Sequence, residues 1–169
     1  YVGFAASSGG ALLGVYKTTD GGSNWTLQNN STNYLGTQGW YDNALTIKPG
    51  TTDFIITGGI DLYSSTNSGV TLTKKTSWST GSTGNFCHAD IHYLTYSPLN
   101  NALYCCSDGG IYKSTNDGGN WIDLNATIST LQYQSADYDP LNPTLLQGGC
   151  QDNNKQTSTN NGLVWVQRT

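Results

Sequence analysis

Glutamate is missing from this 169-residue chain, and arginine occurs once, as Arg168. The usual helix formers are therefore scarce, while Thr, Ser, Asn, Gly, Tyr and Trp dominate, so an all-β structure is the default expectation. Charge is scarce too: 11% of residues are charged, for a net charge of −4. With no basic cluster on a mildly acidic surface, nucleic acid and anionic membranes are excluded as partners. No apolar run reaches 18 residues, so no membrane span is expected. The first residues, Tyr1 to Ala6, lack the charged start of a signal peptide, and any export signal is expected to lie upstream or to have been removed. Low charge with abundant Ser, Thr and Asn suits an extracellular or cell-surface protein, and the length suffices for one core.

There are four cysteines, Cys87, Cys105, Cys106 and Cys150. In an oxidising compartment they allow three pairings, and the sequence does not choose among them. Adjacent Cys105 and Cys106 should point to opposite faces of a strand. Small buried hydrophobes are the plainer reading, since unpaired cysteine is among the most buried residue types.

What the chain does contain is a turn repeated four times. Thr18-Thr19-Asp20-Gly21-Gly22-Ser23-Asn24-Trp25 is followed by Ser65 to Leu72, Ser114 to Trp121 and Ser158 to Trp165, all reading [Ser/Thr]-x-[Asp/Asn]-x-Gly-x-x-[Trp/Leu]. The Asp or Asn side chain can accept from the amides after it, and the Gly two places on can take a positive φ, so each copy should close a hairpin. The recurring positions are Thr18, Asp20, Gly22 and Trp25; Ser65, Asn67 and Gly69; Ser114, Asn116, Gly118 and Trp121; and Ser158, Asn160, Gly162 and Trp165. The closing apolar residue should pack under its turn. Leu72 replaces Trp in the second copy, which is expected to be looser.

The closing positions are 47, 49 and 44 residues apart, the length of a four-stranded propeller blade. The division follows: an incomplete blade over 1–28 without its inner strand, then blades over 29–80, 81–127 and 128–169. In the three full units a Pro turn, at Pro49, Pro98 and Pro140, separates the first two strands. The expected fold class is all-β, a β-propeller of about four blades forming a segment of a larger one.

The boxes resemble the Asp-box, or BNR repeat. Their order in each unit is similar to the sortilin-type (Vps10-like) and xyloglucanase-type (glycoside hydrolase family 74) β-propellers, in particular secreted bacterial ones. In those families the boxes are structural and sit on the outer hairpin of each blade, so the resemblance implies a scaffold and leaves chemistry open. Asn67, Asn116 and Asn160 depart from its Asp.

Sialidase chemistry is excluded, because that family's arginine triad has only Arg168 to match it. A hydrolase of the xyloglucanase type needs two carboxylates across a cleft. Asp42, Asp90, Asp108 and Asp152 are the candidates, although no motif marks a catalytic pair. His88-x-Asp90-x-His92 would place two imidazoles and a carboxylate on one strand face. Adjacent same-face residues stand too far apart to share one ion readily, so neither a tightly bound metal nor another cofactor is expected. Asn43, His92 and Gln134 fall at equivalent register and would give a polar lining to the propeller axis.

Asp108 and Asp152, each before Gly or Asn, read as loop caps rather than ligand groups. Trp40, Tyr41 and Trp78 near blade-end loops could stack on sugars, with Trp40 read as core. The function expected is a binding or structural scaffold, with a glycan hydrolase as the alternative. A three-stranded first blade would leave an open edge and apolar residues such as Phe4, Val15 and Leu146 in water. The expected partner is the rest of a longer chain, another copy or a subunit that supplies the missing strand beside Tyr1 to Ala6.

Overall fold

The computed structural model describes residues 1–80, 85–128, 131–151 and 153–168. Its strands form four antiparallel sheets in chain order. The first holds β1 (Val2–Ala5), β2 (Leu12–Lys17) and β3 (Thr26–Asn29). The second holds β4 (Ala44–Ile47), β5 (Ile55–Gly58), β6 (Leu62–Ser65) and β7 (Thr73–Lys74). The third holds β8 (Ile91–Tyr96), β9 (Leu103–Ser107), β10 (Gly110–Ser114) and β11 (Ile122–Asp123). The fourth holds β12 (Tyr133–Asp139), β13 (Asn142–Cys150), β14 (Lys155–Ser158) and β15 (Val166–Arg168). Each strand pairs with its sequence neighbour, so every sheet is a meander. The chain divides into two compact units, residues 1–128 with three sheets and 129–169 with the fourth. Among the described residues no helix is long and apolar enough to cross a membrane.

The four repeated turns fold alike, each between the last two strands of its sheet. In the first, Thr18 Oγ1 accepts from the amide of Gly22 at 2.9 Å and donates to Asp20 Oδ1 at 2.8 Å, and Asp20 Oδ1 accepts from the amide of Asn24 at 2.9 Å. The same three bonds join Ser65, Asn67, Gly69 and Thr71; Ser114, Asn116, Gly118 and Asn120; and Ser158, Asn160, Gly162 and Val164. The shared Gly has φ between 80° and 93° in all four, a conformation that costs glycine little. The second turn is not the loose one: Leu72 is only 8% exposed and Ser65 is buried, whereas Trp25 is half exposed. A compact aliphatic side chain reaches the core here, while the indole lies over its own turn glycine at the surface.

In the first unit the core lies between sheets. β5 is buried along its whole length and turns Ile55 to one side and Ile56 to the other, as a period of two requires. Ile55 packs with Val15, Tyr34, Leu35 and Leu72, and Ile56 with Leu62, Ile91, Leu94 and Leu103. Val15 is thus buried rather than left in water, because the second sheet covers it; Phe4 on β1 is exposed. Inner strands meet their neighbours, β4 lying against both β1 and β8. At Gly58 a Cβ would come within 2.6 Å of Ile91 Cγ2, so the absence of a side chain lets β8 close on β5.

In the second unit Tyr133 and Trp165 pack with ring centroids 5.7 Å apart, and Trp165 lies over Gly162. β12 stands opposite β13 from Tyr133↔Cys150 to Asp139↔Asn142, with the Pro140 turn closing the hairpin.

Candidate functional site

The polar residues of the first unit converge where the loop before β4 meets the end of the third sheet. Successive turn bonds, Gln38 N to Leu35 O and then Tyr41 N and Asp42 N to Gln38 O, wind this loop tightly. The winding delivers Gln38, Tyr41 and Asp42 to the third sheet. Gln38 Nε2 donates to Asp90 Oδ1 at 2.9 Å, and the Tyr41 hydroxyl donates to the Asp108 carboxylate at 3.0 Å. His92 Nε2 meets Asp108 Oδ1 at 2.7 Å, and the Tyr41 ring stands edge-on to His92 at 4.8 Å.

Asp42 is fully buried, and neither of its carboxyl oxygens meets a hydrogen-bond donor. Its close neighbour is another carboxylate, that of Asp90. Burial, then the Asp90 charge and a hydrogen bond to Asp90, push the Asp42 carboxyl up to about 7. The raised value favours the neutral form of Asp42, which can donate to Asp90 where a second anion would repel it. Tyr34, buried nearby, is pushed up by burial first and then by the Asp42 charge.

The geometry corrects the expected His-Asp-His face. β8 begins only at Ile91, and Asp90 takes a left-handed φ of 64°, so His88 and Asp90 precede the strand on a turn. A shift in pairing between Ile91 and Tyr93 further breaks the period of two. His88 Nδ1 bonds Ala89 O, and its ring lies over Gly109. Among the described residues no three His, Cys, Asp or Glu side chains are arranged to hold a metal ion.

Asp108 is not the cap of its loop. Its oxygens go to Tyr41 and His92, and the amide of Gly109 is met by Ser107 Oγ instead. Asp152 lies outside the described residues. Asn43 donates to Gly3 O at 3.0 Å and accepts from the Tyr34 hydroxyl, tying β1 to the loop before β4. Gln134, in the second unit, donates to Gln151 Oε1 at 2.9 Å. Trp40 is 78% exposed rather than core, with its ring 5.6 Å from that of Tyr41; Trp78 is also exposed. Sequence reasoning passed over the pairing of Asp42 with Asp90 and the role of Gln38. Its one available signal was the density of Gln, Trp, Tyr, Asp and Asn over residues 38–43.

No family model matches the chain, and no curated protein matches it in sequence. Solved structures do. A glycoside hydrolase of family GH74 from Niastella koreensis matches over 91% of this chain and 26% of its own, at 22% identity and a TM-score of 0.52. An ancestral GH74 enzyme matches over 94% of this chain and 22% of its own, at 20% identity and a TM-score of 0.47. The protein YCF48, bound to a D1 peptide, matches over 94% and 46%, at 16% identity and a TM-score of 0.43. The chain thus spans about a quarter of the GH74 chains. What the first likeness shows is the fold, that of a β-propeller, present here as one three-stranded and three four-stranded blades.

Proposed function

We propose that this chain contributes blades to a secreted or cell-surface β-propeller that works as a binding scaffold, with glycans as the ligand class. The observation that carries the reading is the exposed Trp40–Tyr41 pair at a blade end. Tyr41 is fixed by its hydroxyl bonds to Asp108 and by its edge contact with His92, so an apolar ring surface stands beside fixed polar groups. Aromatic rings of this kind bind a partner that is apolar on one side and hydroxylated at its rim.

The hydrolase alternative has less support. Glycosidase carboxyls flank a cleft that admits the sugar or a water, whereas Asp42 faces Asp90 and is closed to solvent. The four turns, with one hydrogen-bond set in common, are read as Asp-boxes of purely structural role. The free edge of β1 is read as the place where a further strand, from a longer chain, another copy or a subunit, completes the first blade.

Titration with soluble xylogluco-, cello- and chito-oligosaccharides, followed by tryptophan fluorescence, tests the scaffold reading. Binding that weakens about tenfold or more in Trp40→Ala, the loss of roughly 1.4 kcal/mol of contact, supports it. Release of reducing sugar that disappears in Asp90→Asn would replace it with the hydrolase reading.

A further inference from the structure

We propose that Cys87 and Cys105 are a disulfide site that locks the loop before β8 onto the third sheet. Both side chains are buried in one core cluster, where the two thiols are neighbours. Their surroundings fix that meeting. Cys105 stands opposite Leu94 on β8 and opposite Tyr112 on β10, in the centre of the sheet. The loop carrying Cys87 is held over the same face: Phe86 stands edge-on to Tyr112 with centroids 6.1 Å apart, and the amide of His88 hydrogen-bonds the Tyr112 hydroxyl.

The other two cysteines have different surroundings within their own units. Cys106 follows Cys105 along β9 and so points to the opposite face, where it is half-buried, and Cys150 pairs with Tyr133 inside the second unit. Within the first unit, Cys87 and Cys105 are the two cysteines that share one buried cluster.

Both residues are thiols in the structure, so closing the bond brings the neighbouring sulfurs to about 2.05 Å. Two S–H bonds break and one S–S bond forms. The two electrons and two protons pass to an external disulfide such as oxidised glutathione, which leaves as two thiols. Attack requires a thiolate, and burial pushes the Cys87 thiol up. Oxidation therefore belongs to folding, before the site closes, and the finished bond is shielded from reductants by the same burial.

The test is to refold the full chain in a glutathione redox buffer, block free thiols under denaturing conditions, and map peptides by mass spectrometry without reduction. The expected result is one cross-link between Cys87 and Cys105, with Cys106 and Cys150 blocked as thiols. Recovery of Cys87 and Cys105 in blocked form, or cross-linked to other partners, would overturn the proposal. Stability gives a second readout. A bridge closing a loop of this length should raise the thermal midpoint by about 10 °C. Unfolding and refolding in dithiothreitol, which exposes the buried bridge to the reductant, should remove that increment from the wild type and leave a Cys87→Ala/Cys105→Ala double variant unmoved; an equal drop in both refutes the bridge.

Discussion

Two aspartates are buried in the second blade and its approach, and they are treated in opposite ways. Asp61, at the β5–β6 turn, accepts from the Trp78 amide at 2.9 Å, from the Thr76 hydroxyl at 3.2 Å and from Lys74 Nζ at 2.8 Å. Asp42, at the entrance to β4, is buried more completely, and what faces it is not a donor from another residue but a second carboxylate. A buried charge is tolerated when hydrogen bonds replace its water. Asp61 meets that condition and holds a loop; Asp42 does not, and its carboxyl is pushed up to about 7. Strain of the second kind survives only where the surrounding structure enforces it, which is why the Asp42–Asp90–Asp108 corner, and not the equally acidic Asp61 turn, is the candidate site.

The contrast predicts effects of opposite sign. Asp61→Ala should cost about 3 kcal/mol in urea unfolding at neutral pH, because the Trp78 amide and the Thr76 hydroxyl lose their buried acceptor. A loss no larger than that of an ordinary surface substitution would mean that Asp61 is not the clamp described.

Asp42→Asn should do the reverse, and only on one side of neutrality. The folded carboxyl titrates near 7, above its unfolded value of about 4, so the folded state holds the extra proton between those limits. The stability it contributes is complete below about pH 4 and is lost as pH rises toward and through 7. The amide, which donates to Asp90 at any pH, should match wild type near pH 4 and exceed it by about 2 kcal/mol at pH 8. Equal destabilisation by Asp42→Asn at both values would show that the two carboxyls share no proton.

The parts of this architecture that were legible in the sequence are those set by local chemistry. A hydroxyl, an Asx and a Gly at fixed spacing close a turn whatever surrounds it, so the four turns could be read from the chain and their period announced the sheets. The site depends instead on which segments meet. Asp42 and Asp90 are brought together only because the loop through Gln38 coils back on itself, and no spacing encodes that. His88-x-Asp90-x-His92 misled for a related reason: it has strand periodicity, but the positive φ of Asp90 breaks the strand before it starts. Leu72 was misjudged by comparing side-chain sizes, when what decides is whether the turn faces a neighbouring sheet.

Asp20 extends the comparison to a third aspartate, one at the surface. Its carboxyl is held down to about 2, first by the Asn24 amide, then by the Asn24 side chain and the Thr18 hydroxyl. Its donors come from its own turn, so no other part of the fold is needed to satisfy it. The second, third and fourth turns make the same backbone bond with the carbonyl oxygen of Asn67, Asn116 and Asn160. The charge is therefore dispensable and the acceptor is not. Asp20→Asn loses only the bond from the Asn24 side chain to Oδ2, at 2.7 Å, which that side chain can replace by turning its amide over. The expected shift in thermal midpoint at pH 7 is within about 2 °C, as for other exposed charges. Its pH dependence runs opposite to that of Asp42: the contribution of a lowered carboxyl is present above its unfolded value and lost as pH falls through about 2. Asp20→Ala, which removes the acceptor itself, should lower the midpoint by several degrees more than Asp20→Asn. Identical midpoints for the two variants in thermal melts would show that the side-chain bond to Asn24, and hence the box, does not hold its hairpin.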